Sequence, residues 1–225
     1  MTITAAAVRE TPILFSGPMI RKILAGSKTQ TRRPVVWDEK PLVPFFERAW
    51  VDPGGTSLFG PGPYLKVPCH HPEDPKGKGY ERTVRVRCRY GYPGARLWVR
   101  EAHRFVGHSH EYEEVEYKAD GRRKCWKTDK IVAHDGKWRI FLPRWACRIR
   151  LEITQVRLQR LRKISVADIL EEGVDCEKHD SGRCPSTCST VRRTWSEGWD
   201  RLNEKRGYPW RSNPWCWVLT FTRRN

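Results

Sequence analysis

Apolar residues in this chain fall mostly into short alternating runs, the signature of half-buried strands. Ile13-Leu14-Phe15 opens with a short apolar strand. Over 82–89, Val84, Val86 and Cys88 alternate with Arg85, Arg87 and Arg89, predicting a strand with one wholly basic face. Arg96-Leu-Trp-Val-Arg100 predicts another after the turn Tyr92-Pro-Gly94, and 113–118 and 137–141 add two more. Over 145–158, Cys147, Ile149, Leu151 and Ile153 point one way and Arg148, Arg150, Glu152 and Thr154 the other. A run of large alternating residues over 215–222 closes the set.

Helical signals are fewer. Ser16 reads as an N-cap with Pro18 in the first turn and a Phe15–Ile20 staple, so a helix is expected over 17–25, stopped by Gly26. The next residues, 27–34, should be extended, because the residue before Pro34 disfavours the α region. Ser165 and Asp168 form a capping box for a short helix that ends at Gly173. Residues 190–206 form the longest helical pattern, with Val191, Trp195, Trp199 and Leu202 on one face and Gly207 as the stop. More than half of the 16 prolines lie in 34–80, read as an irregular insertion rather than a second domain. The expected fold class is α+β, mainly β: a small β-barrel with capping helices around one core.

Charge adds a partner. The chain has 225 residues, with 43 Lys and Arg against 26 Asp and Glu, a net +17 and a pI near 9.9. Such an excess predicts an anionic partner, with nucleic acid first, against the blander reading of a merely soluble basic chain. Eleven Trp, 7 Phe and 7 Tyr argue against a disordered chain. No apolar run is long enough for a membrane helix, and residues 1–10 lack the pattern of a secretory signal, so a cytoplasmic location is expected. The arginines at 85, 87, 89, 148 and 150 would make a basic stripe for phosphates if their strands adjoin.

The eight cysteines are more simply free thiols than disulfides in a chain of this size without a leader. Cys88, Cys147 and Cys216 sit in strand patterns as small core residues. Cys176, His179, Cys184 and Cys188 form a cluster flanked by turn residues that would suit a structural zinc, the alternative being an ordinary loop with free thiols. Cys69-His70-His71 is a poorer set, since adjacent side chains rarely converge on one ion.

Candidate chemistry concentrates at the helix-to-strand turn Lys28-Thr-Gln-Thr-Arg-Arg33. Gly26-Ser-Lys-Thr29 is no P-loop: the Lys does not follow Gly directly, and the helix precedes the glycine. If Lys28 is partly buried near Arg32 or Arg33, its pKa should fall, and a neutral amine can accept a proton from a hydroxyl or water. Glu172, at the end of the short helix, is the candidate carboxylate. In a regular strand Lys28 and Thr31 would face opposite ways, so a bend would be needed to bring them together.

These residues also carry a resemblance. Ile23-Leu-Ala-Gly-Ser-Lys-Thr-Gln-Thr-Arg32 is similar to the signature of ASCH domains, in the PUA-like superfamily. The likeness extends through Arg96-Leu-Trp-Val-Arg-Glu101, Pro143-Arg-Trp-Ala146, Ile164-Ser165, Glu172-Gly173 and Asn213-Pro-Trp-Cys-Trp-Val-Leu-Thr-Phe221, in that order. It resembles the longer ASCH proteins of bacteriophages and prophages. The resemblance implies one domain over 1–225, a PUA-like β-barrel with insertions at about 37–80, 103–136 and 175–190. It also implies RNA or modified-nucleoside binding, and, from one branch, amide hydrolysis of N4-acylated cytidine by residues matching Lys28, Thr31 and Glu172. A ribonuclease, a non-catalytic RNA- or DNA-binding module and a phage morphogenesis factor stand beside that reading. Arg32, Arg33, Arg85, Arg87, Arg89, Arg100, Arg148 and Arg150 are the expected phosphate contacts, with Trp98 or Trp37 to stack a base. No cofactor is needed for the expected chemistry.

Overall fold

The structure, a computed structural model, describes residues 10–38, 43–44, 46, 49–52, 63–70, 82–109, 111–130, 132, 134–179 and 184–224. Residues 1–9, much of the stretch 37–80 including His71, and residues 180–183 lie outside them, and with them the readings made there. The strand β1 (Glu10–Leu14) leads into helix α1 (Gly17–Leu24), and Gly26, at φ 79°, ends the helix as the sequence predicts. Strand β2 (Gln30–Pro34) follows. Four short strands come next: β3 (Val43–Pro44), β4 (Trp50–Asp52), β5 (Tyr64–His70) and β6 (Arg82–Val86). Then come β7 (Arg96–Arg100), β8 (His103–Ser109), β9 (Tyr112–Tyr117), β10 (Arg123–Lys127) and the long β11 (Arg150–Arg160). Helices α2 (Val166–Glu171) and α3 (Ser189–Asn203) precede the last strand, β12 (Trp215–Arg224).

A five-stranded sheet in the order β1-β7-β11-β12-β2 forms the centre, with β1 parallel to β7 and the other pairs antiparallel. Alternation buries Ile13, Leu97, Val99, Ile149, Leu151, Ile153, Leu219 and Phe221 on its inner face, against Ile20 and Ile23 of α1. A second sheet, β10-β9-β8, covers Trp98, Phe105, Val115 and Tyr117, and a third joins β5 to β3, β4 and β6. A third apolar cluster lies between α2 and α3, built on Ile169, Val191, Trp195 and Trp199.

The mainly-β α+β class stands; the closed barrel does not. Among the described residues the central sheet is open, with β1 and β2 as its edges. The edges are linked by side chains instead of a ladder: the Arg33 guanidinium of β2 donates to Leu14 O at 2.8 Å and lies over the Phe15 ring.

Other elements also differ from expectation. The 82–89 strand stops at Val86, leaving Arg87 and Arg89 in the following segment. Residues 137–141 contribute a single bridge, His103 to Arg139, rather than a strand. The strand expected from 145 is ordered only from Arg150, after a 3-10 turn over Arg144–Ala146. Leu202 is 69% exposed: the buried positions of α3 recur every four residues at Val191, Trp195, Trp199 and Asn203, so Asn203 takes the inward place in the last turn instead of Leu202. β5, β8 and β10 were not expected from the sequence.

Candidate active site and metal centre

Helix α1 ends, the chain turns at Gly26, and Lys28 enters the space beneath the exit of α2. Two backbone bonds fix this junction: Lys28 N–H donates to Lys22 O and Thr29 N–H to Glu171 O, at 3.2 and 2.9 Å. Lys28 therefore precedes the β2 ladder, and strand alternation does not dictate its direction. Its side chain is only 2% exposed, and its Nζ donates to Glu172 O at 2.7 Å and Gln30 O at 2.8 Å. The Glu172 carboxylate lies 3.5 Å from the same nitrogen, and the Phe15 ring centroid 5.5 Å away. Burial lowers the Lys28 pKa to about 8, partly opposed by Glu172 and aided by Arg33 and Arg32. Gly173, at φ 82°, allows this approach, since a Cβ there would stand 3.1 Å from Lys28 Cβ.

Along β2, Gln30 and Arg32 turn towards α2. The Arg32 guanidinium donates to Glu172 Oε1 at 3.2 Å, Asp168 Oδ2 at 2.9 Å, Gln30 Oε1 at 2.6 Å and Gln159 Oε1 at 2.9 Å. Gln30 in turn donates to Asp168 and Glu171. Burial would raise the Asp168 pKa, but Arg32, Arg157, Gln30 and the Ser165 N–H outweigh it and hold the carboxyl at about 2. Thr31 is buried on the other side of the strand, the side shared with Arg33, whose guanidinium reaches the Phe15 ring that Lys28 also touches. No hydrogen bond joins Thr31 to Lys28 or Glu172. Lys28 and Glu172 are thus brought together directly, whereas Thr31 lies on the opposite face of β2 from Gln30 and Arg32. A buried amine poised near neutrality beside a carboxylate can accept a proton and pass it on.

Sequence reasoning missed Gln30, Gln159 and Asp168 as members of this network. The capping box placed Asp168 correctly at the start of α2, but its long-range partners carry no local signal.

The expected phosphate contacts divide. Arg32 is buried in ion pairs, and Arg148 is held by Glu101 and Asp120 through four bonds of 2.8–3.0 Å. Neither is placed to meet a phosphate. Arg85, Arg87, Arg89 and Arg150 are exposed. The stripe they were to share does not form, because β6 pairs with β5 whereas β11 belongs to the central sheet. Trp98 is buried beneath the Arg100 guanidinium, 4.7 Å from its ring centroid, and Trp37 packs edge-on against Phe46.

Between α2 and α3, the ligand atoms of Cys176, His179, Cys184 and Cys188 lie within 4.8 Å of one another. Cys176 Sγ is 3.7 Å from Cys188 Sγ and 3.3 Å from His179 Nδ1, and Cys188 Sγ is 3.8 Å from that nitrogen. A tetrahedral zinc with bonds of about 2.3 Å to sulfur and about 2.0 Å to nitrogen has edges of about 3.8 and 3.5 Å. The measured separations fit, and all four residues can serve as ligands to one metal ion. The Val191 N–H in the first turn of α3 lowers the Cys188 pKa to about 6, which favours the thiolate a metal requires, while burial and its two thiol neighbours push Cys184 up to about 12.

No protein-family model, curated protein or solved structure matches this chain. Among the described residues, no helix is long and apolar enough to cross a membrane.

Proposed function

We propose that the chain is a nucleic-acid-associated hydrolase of the ASCH, PUA-like kind, acting on an acylated nucleobase of the N4-acylcytidine type. The observation that carries this reading is the buried Lys28 amine, 3.5 Å from the Glu172 carboxylate. In its neutral form the amine takes a proton from water, and the resulting hydroxide adds to the acyl carbon. The C–N bond breaks, the exocyclic nitrogen receives a proton by way of Glu172, and carboxylate and cytidine result. Arg32 and Gln30 orient Glu172 and the neighbouring acids. Replacing Lys28 by Ala should lower hydrolysis of N4-acetylcytidine about 10²–10⁴-fold with the circular dichroism spectrum unchanged. No turnover by the unaltered protein would overturn the assignment.

A second reading, a binding module without turnover, is favoured by one feature: the Lys28 amine already donates to two backbone carbonyls. It requires Lys28→Ala only to weaken nucleic-acid binding. The ion we assign to the Cys176–His179–Cys184–Cys188 set is a structural zinc, since four protein ligands leave no open position for substrate. One zinc per chain in the purified protein is the expected analysis, and freely titratable thiols at all four sites with no bound metal would reject it.

A further inference from the structure

We propose that the surface running from this site over Leu14 and Arg100 to Trp138 and Phe141 is a track for a single-stranded polynucleotide. The proposal rests on the reading that the site takes a nucleobase, and it deepens it: the substrate base would be presented within a strand rather than as a free nucleoside.

The inner end of the track is Phe15, itself only 5% exposed, whose ring meets both Lys28 and the half-buried Arg33. Its N–H donates to Arg100 O at 3.2 Å, and the exposed Leu14 is paired in register with Arg100. From there the Arg100 guanidinium lies between Trp98 and Phe141, 4.7 and 5.8 Å from their ring centroids. Phe141 is 71% exposed and Trp138 39%, with Ile140 exposed between them. Lys118 and Arg104 lie over the Trp138 ring at 5.4 and 4.9 Å. These aromatics are held in place: Arg139 and His103 exchange both backbone bonds at 2.8 and 2.9 Å, and Leu142, which follows Phe141, is fully buried.

Arg104 is committed to Glu116. Arg100 and Lys118 have no carboxylate partner among the described residues, and Arg100 Nε is buried without a hydrogen-bond acceptor. Exposed rings on a pinned segment, each touched by a cation without a counter-ion, suit bases and phosphates in alternation. An acidic peptide would use the cations and leave the rings without a role.

The test measures fluorescence anisotropy of a short single-stranded oligonucleotide of mixed sequence, as RNA and as DNA, with the same sequence in duplex form as control. Phe141→Ala and Trp138→Ala should each weaken single-strand binding by about fivefold or more. Arg100→Gln should reduce the salt slope by about one. Tighter binding of the RNA arm would assign the track to RNA, and equal binding would assign it to single strands of either sugar. Hydrolysis of free N4-acetylcytidine should be unchanged in Phe141→Ala and Trp138→Ala. Unchanged binding by both variants, or equal affinity for duplex, overturns the track. The same losses seen only with vesicles of anionic lipid would also overturn it. Binding lost as expected in a protein that never hydrolyses the nucleoside would keep the track and reject the hydrolase.

Discussion

A buried ammonium is an expensive group to fold around, and Lys28 shows how the chain manages it. Two carbonyls and one carboxylate receive it, yet burial still dominates and holds its pKa at about 8 against an ordinary 10.5. Between those values the unfolded chain binds the proton that the folded chain has released, so this residue's contribution to stability rises with pH across that window. The unfolding free energy of the protein minus that of Lys28→Met should move in favour of the protein by roughly 3 kcal/mol at most between the two values. Parallel denaturant titrations of the two chains at pH 7.5 to 10.5 would measure it. A flat difference would mean that Lys28 is solvated in solution. If the neutral amine is the base, as proposed, the same ionisation should give hydrolysis a rising limb near pH 8. At Gly173 an added Cβ meets a left-handed backbone and the Lys28 Cβ together, so Gly173→Ala should cost about 1–2 kcal/mol and lower the proposed nucleoside hydrolysis. Lys28 and Glu172 were legible because one is a cation in a polar turn and the other closes a helix at a glycine. Arg32 was not: nothing local separates an arginine aimed at solvent from one aimed at carboxylates more than a hundred residues away.

At the scale of elements, α2 is a six-residue helix whose job is to present acids to β2. Asp168 serves it twice: it closes the capping box with Ser165, and its carboxylate receives Arg32, Arg157 and Gln30. Its folded pKa of about 2 lies below the ordinary 3.8. The stabilisation is therefore complete above 3.8 and disappears as pH falls through about 2. Asparagine at 168 keeps a capping side chain but gives up the charge. Asp168→Asn should cost roughly 2 kcal/mol at neutral pH, with the two proteins converging in urea titrations as the solution is acidified. A constant gap down to pH 2 would assign the loss to shape rather than charge. The elements missed from the sequence have identifiable causes. Pro68 masked β5, because a proline within an apolar run argues against a strand paired on both sides. In β8 the inward positions begin with a buried histidine, His103, which breaks the apolar alternation. β10 is largely exposed and reads as polar loop.

At the scale of the whole molecule, alternation told which face of each strand looks inward, but not which strands are neighbours. That is why one barrel was expected where the chain builds a central sheet, two smaller sheets and three apolar clusters. The cluster between α2 and α3 is the one most dependent on something other than burial. Cys176 and Cys188 belong to it, and the connection that would close around the metal is the same one that joins Glu172 to α3. Only three residues separate Glu172 from Cys176, and one of them, Asp175, receives the Lys22 ammonium of α1 at 2.5 and 2.6 Å. Zinc bound there would hold the exit of α2 from one side while Lys22 and Lys28 hold it from the other. Withdrawing the ion removes binding free energy that exists only in the folded connection. Hydrogen exchange with and without a chelator should then show faster exchange across 166–176 and 189–203, with β7, β11 and β12 retaining their protection. Restoring zinc should restore the slow exchange, and magnesium should not, because thiolate and imidazole ligands do not suit it. Loss of protection spread evenly over the central sheet would mean that the three clusters unfold as one unit. No change at all would mean that the four side chains converge without holding an ion.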